Sequence, residues 1–560
     1  MHITTNDFDR FGARAPWPRN PDGGHTMSLS HSHLARLLVA SLLGLCATGA
    51  SAQSFHIQCP MATPNPVPAF SLPNGVTIPG GQTKCQQISG GDGFATMGDG
   101  NQTYLFAFGP LSGMADIIKG LPGTKTAVEF NSLANNDQAT IGSPRFGDTF
   151  NGAVGLTHDP EPLLDASNNP ICPNGNGGVP GTCLTGHVDP RLIMDVGVLN
   201  GSQPAPMFAI DEDDEFFLTL TNVGMVMRPD LFEQHTVHFH GYPNASAFYD
   251  GVPDASVAIN IAGSFTYYYL APDAGTYFWH CHITPPEHLQ MGMVGQIYVR
   301  PRQNRVSGDL YAALQGLQAP PTNASSPTSA EYQRLRTRCT NDILCSNPLP
   351  AINTGATNNG TKKYAYNDGD GSTEYTVEYP LQMHGFDPNF HFVGMTFNPE
   401  SFTDLKDKYF LLNGRSYPDT IHDGPMTTQA TDTVERTSQP LSALIKIPQG
   451  GKALLRISDL NVSDYHTLAS LGIRMTVIAL NAKLLRDQDG NNLYYKTNSI
   501  TLGGGESLDV ILDASGPEYA GCTASTPCRF YLYTPQMDHL SNDAENFGGM
   551  MTEVIVGPSV

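Results

Sequence analysis

Positive charge is what this sequence has least of. Its 30 lysines and arginines face 52 aspartates and glutamates, a formal net charge of −22. Phosphate backbones are bound by clustered Lys and Arg, so this balance argues against a nucleic-acid partner. Charged residues of both signs reach only 15%, and helical periodicity is scarce. Long apolar runs are lacking too. The most apolar stretch, Leu37 to Cys46, is too short to cross a bilayer. What the chain does have is turn formers, 57 glycines and 43 prolines, which points to an all-β protein with many turns. With 560 residues there is room for two or three domains and sizeable cores.

The N-terminus reads as a targeting segment. Met27 opens a short n-region with His31, His33 and Arg36, the apolar run follows, and Ala50-Ser51-Ala52 offers a small-residue cleavage site before Gln53. Residues 1–52 are therefore an upstream extension plus signal peptide, and the mature protein is expected to be exported: periplasmic, outer-membrane-associated or extracellular. Beyond Cys46, eight cysteines fall into regional pairs, Cys59/Cys85, Cys172/Cys183, Cys339/Cys345 and Cys522/Cys528. In an oxidising compartment these are disulfide candidates. Cys281 is left over.

Residues 53–185 are rich in Gly, Asn, Pro and Asp and read as a loop-rich N-terminal region with a few strands, among them Tyr104–Phe108. Residues 186–301 carry short strands at regular spacing, Leu192–Val198, Glu215–Thr221, His235–His240, Ser264–Leu270, Gly275–His280 and Val294–Val299, a sandwich or barrel pattern. Residues 302–373 read as a linker with one helical patch near Ala330–Arg338. Residues 374–560 form a second β-rich block whose layout echoes the first, an internal repeat.

Chemistry concentrates in two stretches: His235-Thr-Val-His238-Phe-His240-Gly241 and His280-Cys281-His282-Ile-Thr-Pro-Pro-Glu-His288-Leu-Gln-Met-Gly-Met293. Side chains alternate faces along a strand. His235, Cys281, His288 and Met293 can therefore gather on one side, and His238, His240, His280 and His282 on the other. The first set, two imidazoles, a thiolate and a thioether, is that of a blue-copper electron-transfer centre. The second suits copper held by imidazole alone.

These motifs resemble those of the multicopper oxidases, proteins built from cupredoxin domains. Leu199-Asn-Gly201, Asp250-Gly251 and Ala274-Gly-Thr-Tyr-Phe-Trp279 extend the match. The resemblance is strong over 190–301 and weak over 375–556. It implies tandem cupredoxin-like Greek-key β-sandwiches. It implies a type 1 copper on His235, Cys281, His288 and Met293, and type 2/type 3 ligation by His238, His240, His280 and His282. It implies that Asp250 supplies protons near the cluster. The activity implied is one-electron oxidation of a small-molecule or metal-ion reductant, such as a phenol, coupled to dioxygen reduction. A homotrimer is compatible with it, since two-domain relatives build sites between subunits.

Two departures stand out. His288 follows Cys281 by seven residues where the family usually has five, through Pro285-Pro286. In the second block His466-Thr-Leu-Ala469-Ser-Leu471-Gly472 keeps only the first histidine of the family pattern, and Tyr533 to Met550 reads as a copper strand that has lost its His-Cys-His. The second block is thus expected to be a degenerate cupredoxin domain. His384, His391, His422, His466 and His539 are taken as interior residues. A two-copper enzyme like the nitrite reductases, and a copper protein that only carries electrons, are the rival readings.

Overall fold

The computed structural model describes residues 57–130, 156–158, 184–188, 190–318 and 345–558, apart from 64–66, 73–74, 242–246, 272, 395–401 and 430–433. The targeting segment, Cys172, Cys183, Cys339 and the patch at 330–338 lie outside them. All the described residues belong to the unit Ser54–Val560. Among the described residues, no helix is long and apolar enough to cross a membrane.

Strands dominate, and they make two sandwiches, as an all-β cupredoxin architecture requires. In the first, one sheet runs in the order Ser264–Leu270, Glu215–Gly224, Thr83–Thr96, Gln102–Pro110. The other runs His238–Phe239, Gly275–His280, Val294–Arg300, Phe208–Asp211. Phe208–Asp211 and Glu215–Gly224, and likewise Ser264–Leu270 and Gly275–His280, follow each other in the chain but lie in different sheets, the mark of Greek-key crossovers. Two strands of the loop-rich segment 53–185 belong here: Thr83–Thr96 runs parallel to Glu215–Gly224, so the sandwich starts well before residue 186. Leu192–Val198, expected as a strand, lies instead within or beside a helix, Pro190–Gly197. Pro190 pre-sets the first helical turn, and Ile193 and Val196, one turn apart, are both buried.

Between the sheets, Trp279 stacks on Phe208 with ring centroids 4.5 Å apart. Both join a core that includes Phe106, Leu218, Tyr267 and Ile297. The strand Gly275–His280 is buried along its whole length. Its other face is closed by the second sandwich, where Phe278 packs with Leu460 and Thr276 Oγ1 donates to Asp509 Oδ1 at 2.6 Å. A strand buried on both faces reads as continuously apolar rather than alternating.

The second sandwich has one sheet containing Met475–Leu480, Ser507–Asp513, Lys452–Asp459, Val377–Phe386 and Tyr409–Leu412 in that order. Its other sheet contains Ile445–Ile447, Met551–Val556, Cys528–Tyr533, His466–Leu471 and Ser499–Leu502. Disulfides join Cys59 to Cys85 and Cys522 to Cys528. Cys345 is disulfide-bonded as well, and Cys281 is free and buried.

Segment 302–373 is more than a connection. The fully buried Arg302 guanidinium donates to Asp213 at 2.6 and 2.8 Å and to Glu212 at 3.3 Å. That anchors the segment to the first sandwich. At the seam between sandwiches, Glu378 accepts from Arg300 at 2.7 Å and from Arg456 at 3.1 Å. Burial pushes the Glu378 carboxyl up, but the two guanidinium charges outweigh it and bring it down to about 2. A carboxylate depressed in the folded state contributes stability above its unfolded pKa and loses it as pH falls through the folded one. The unfolding free energy obtained from urea titrations should therefore fall between about pH 4.5 and pH 2, by on the order of 3 kcal/mol from this group. Glu378→Gln should be less stable at neutral pH and show a shallower acid decline, and equal slopes would refute the assignment.

Candidate metal centre

Two backbone pairings assemble the site. His238 and Phe239 lie antiparallel to His280 and Trp279, and His235 bridges to Ile259. Because the pairing aligns His238 with His280, side-chain parity on both segments sorts the donors onto opposite faces of one sheet.

On the thiol face, His288 Nδ1 lies 3.3 Å and His235 Nδ1 4.0 Å from Cys281 Sγ. The three donor atoms are all within 4.8 Å of one another, and none of the three side chains is exposed. The thiol also accepts the Thr236 N–H at 3.4 Å. Pro285-Pro286, the extra residues of the loop, open the short helix Pro285–Gln290. That helix turns His288 back toward the thiol. Met293, fully buried, donates its N–H to the His288 carbonyl at 2.9 Å and accepts the Cys281 N–H at 3.1 Å. Burial depresses His235 well below the usual imidazole range, with a further push from His288. At His288 burial is outweighed by the Cys281 sulfur and by Glu233, whose Oε2 lies 3.3 Å from Nε2, and the ring rises to about 10.

On the other face four imidazoles cluster. Ring centroids of His238 lie 5.4, 5.3 and 5.0 Å from those of His240, His280 and His282. Carbonyls hold the Nδ1 sides: Asp250 O is 2.7 Å from His238 Nδ1, and Cys281 O is 2.7 Å from His280 Nδ1. Gly505 of the second sandwich supplies a backbone hydrogen bond to His240. A ring whose Nδ1–H is given to a carbonyl keeps its Nε2 lone pair for a metal. His240 and His280 turn those Nε2 atoms to within 3.0 Å of each other. Burial lowers His240 to about 4 and His280 well below its ordinary value, so both are neutral and ready to ligate. Asp250 reaches the group only from outside, with Oδ1 3.4 Å from His238 Nδ1.

Donor atoms of six predicted positions gather in two groups, His235, Cys281 and His288 on one face and His238, His240 and His280 on the other. The His282 ring lies beside the second group, and Met293 is joined to the thiol loop through its backbone. Both donor sets fit copper, soft sulfur with imidazole on one side and imidazole alone on the other. Glu233, Thr236 and Gly505 were not foreseen. Glu233 stands two residues before His235 with nothing to mark it, and Gly505 lies in the distant Gly503-Gly-Gly run. His384 and His391 are hydrogen-bonded interior residues. His384 Nε2 faces the Leu289 carbonyl at 3.2 Å, and His391 sits between the carbonyls of Tyr104 and Gln290, each at 2.9 Å.

Fold and donor sets define a cupredoxin protein whose cofactor is copper. The family model described as multicopper oxidase matches residues 186–304, and over that domain the chain is similar to the multicopper oxidases. Laccase abr2 of Aspergillus fumigatus is 29% identical over 166 residues, 27% of each chain. Multicopper oxidase MCE of Talaromyces pinophilus is 32% identical over 112 residues, 20% of this chain and 17% of that one. A copper-containing nitrite reductase of Rhizobium meliloti is 32% identical over 114 residues, 20% of this chain and 27% of its own. The matches span about a quarter or less of these relatives. Blue Copper Oxidase from Nitrosomonas europaea overlaps 64% of this chain and 79% of its own, at 20% identity and a TM-score of 0.40.

Gly505 is the position where the second sandwich sets the imidazole face. Its φ is +87°, and an added Cβ would fall 2.9 Å from His240 Cε1 and Nδ1. Gly505→Ala should therefore displace His240 and lower copper affinity at the imidazole face by about tenfold or more. The blue absorption of the thiol site should persist. Metal analysis beside the visible spectrum checks this, and unchanged occupancy would count against the arrangement.

Proposed function

We propose that the protein is an exported copper oxidase. It takes electrons singly from a phenolic or metal-ion reductant at the Cys281 site and passes them to dioxygen at the imidazole site. One observation carries the reading. The two donor sets occupy opposite faces of a single strand end, and the Cys281 carbonyl that follows the sulfur is hydrogen-bonded at 2.7 Å to His280 Nδ1. Copper, when bound, supplies one-electron acceptance on the thiol face and oxygen reduction on the imidazole face.

The chain's own residues do the rest. His288 is buried, while Glu233 on its Nε2 is a quarter exposed, so the pair forms the outward edge where a reductant would meet the thiol site. Buried His235, Met293 and Trp279 keep water from the sulfur. Asp250, one-third exposed, stands between His238 and solvent and is placed to deliver protons toward the imidazole face. The disulfides support an oxidising compartment.

A second reading has its own observation. Ala469 pairs with Tyr533 in the second sandwich where His238 pairs with His280 in the first, so the second domain offers no imidazoles in those places. The copper complement is then smaller, as in a nitrite-reductase-like enzyme or an electron carrier. Metal analysis separates the readings: about four coppers per chain for the oxidase, about two for the reductase, about one for the carrier.

Copper-loaded protein should be blue and consume oxygen with a phenolic donor, and Cys281→Ser should lose both the colour and the activity while keeping its circular dichroism. A colourless copper-loaded wild type would end the central claim.

A further inference from the structure

The second sandwich repeats the copper frame of the first, register for register. Ala469 pairs with Tyr533 where His238 pairs with His280, and Tyr533 pairs with Met551 where His280 pairs with Val294. Counting from these positions, Thr534 falls at Cys281, His466 at His235 and Met550 at Met293. Two loop hydrogen bonds agree. Thr534 N–H donates to the Met550 carbonyl at 2.9 Å, as Cys281 does to Met293 at 3.1 Å. Met550 N–H donates to the His539 carbonyl at 3.1 Å, as Met293 does to His288 at 2.9 Å. His539 is therefore the counterpart of His288. The His466 and His539 ring centroids stand 5.6 Å apart, against 5.4 Å for His235 and His288.

The imidazole face of this repeat is gone, with Ala469, Leu471, Tyr533 and Pro535 in its four places. The other face has lost only its thiol. His466 has no exposed surface and His539 and Met550 almost none. Neither ring nitrogen of His466 has a hydrogen-bond partner, nor has His539 Nδ1. Asp459 Oδ1 lies 3.3 Å from His466 Nδ1, and Asp459 Oδ2 is also without a partner. Leaving buried polar atoms unpaired is costly, and a cation held among them would remove that cost.

We propose that His466, His539 and Met550 form a further metal site, free of cysteine, that takes monovalent copper, with Asp459 beside His466 as its counter-charge. The buried thioether favours a soft ion. One carboxylate with three neutral donors balances a single positive charge, whereas a divalent ion would leave buried charge uncompensated. With Thr534 in place of the cysteine, the site has no thiolate and no strong colour. It stands independently of what the first sandwich does.

Full-length protein, reduced and anaerobic, is titrated with Cu(I) against a chromophoric chelator. Met550→Leu and His539→Gln should each weaken one Cu(I) site by about ten- to a hundredfold, with the blue band of the Cys281 site intact. Identical Cu(I) binding in wild type and both variants overturns the proposal. Should the histidine variant not fold, Met550→Leu and a gain of function decide. Thr534→Cys in a Cys281→Ser background restores the missing donor, and added Cu(II) should produce a blue band that the Cys281→Ser protein lacks. A folded double variant that stays colourless refutes the frame. Binding of zinc in preference to Cu(I), insensitive to Met550→Leu, refutes the choice of ion.

Discussion

The alternation of side chains along one buried strand is the constraint on which this molecule rests. Gly275–His280 and the Cys281-His282 that follows send sulfur one way and imidazoles the other, so two chemically different metal environments share a single backbone. A strand with a face in each environment cannot lie at a surface. The first sandwich covers the Trp279 side, and the second covers the Phe278 side through Leu460, Asp509 and Gly505. The second sandwich is thus part of the site even though it contributes no imidazole to it.

Enclosure has an electrostatic consequence. Burial drives His235, His240 and His280 toward the neutral form, which is the form that binds a metal. Carbonyl acceptors on Nδ1 of His238 and His280 then decide which nitrogen stays open. His288 is the exception. Flanked by the sulfur and by Glu233, it is drawn toward the charged form, and a metal taking its Nδ1 would have to displace a proton that these two neighbours favour.

Much of this was legible in the sequence because parity is a strict rule. Once His235–His240 and His280-Cys281-His282 are read as extended, alternation separates six of the ligand candidates, while His288, in the helix Pro285–Gln290, and Met293 rest on the family pattern. What was not legible depended on contacts between distant segments. The Gly, Asn, Pro and Asp content of residues 53–185 made Thr83–Thr96 look like loop. In the structure Gly90 is small because a Cβ there would fall 2.6 Å from His235 Cδ2, so the glycine marks a ligand's close approach. Glu233 and Gly505 escaped for the same reason, since nothing in their neighbours shows that a histidine packs against them. Leu192–Val198 failed differently: its apolar spacing fits helix and strand alike, and Pro190 decided it.

The two sandwiches have diverged unevenly, and the pattern of loss is informative. Metal ligation and packing make different demands on a buried histidine. Where His238 and His240 have become Ala469 and Leu471, apolar side chains have replaced the polar ones outright, as a core without metal would favour. His466 and His539 have not been replaced, although burial leaves three of their nitrogens unpaired and Phe410 stacks on His539 at 3.9 Å as it would on any flat ring. A core that only needed to pack could use phenylalanine or leucine in both places at lower cost. Two buried imidazoles with unpaired nitrogens at the counterparts of His235 and His288 are therefore better explained by a ligand than by packing.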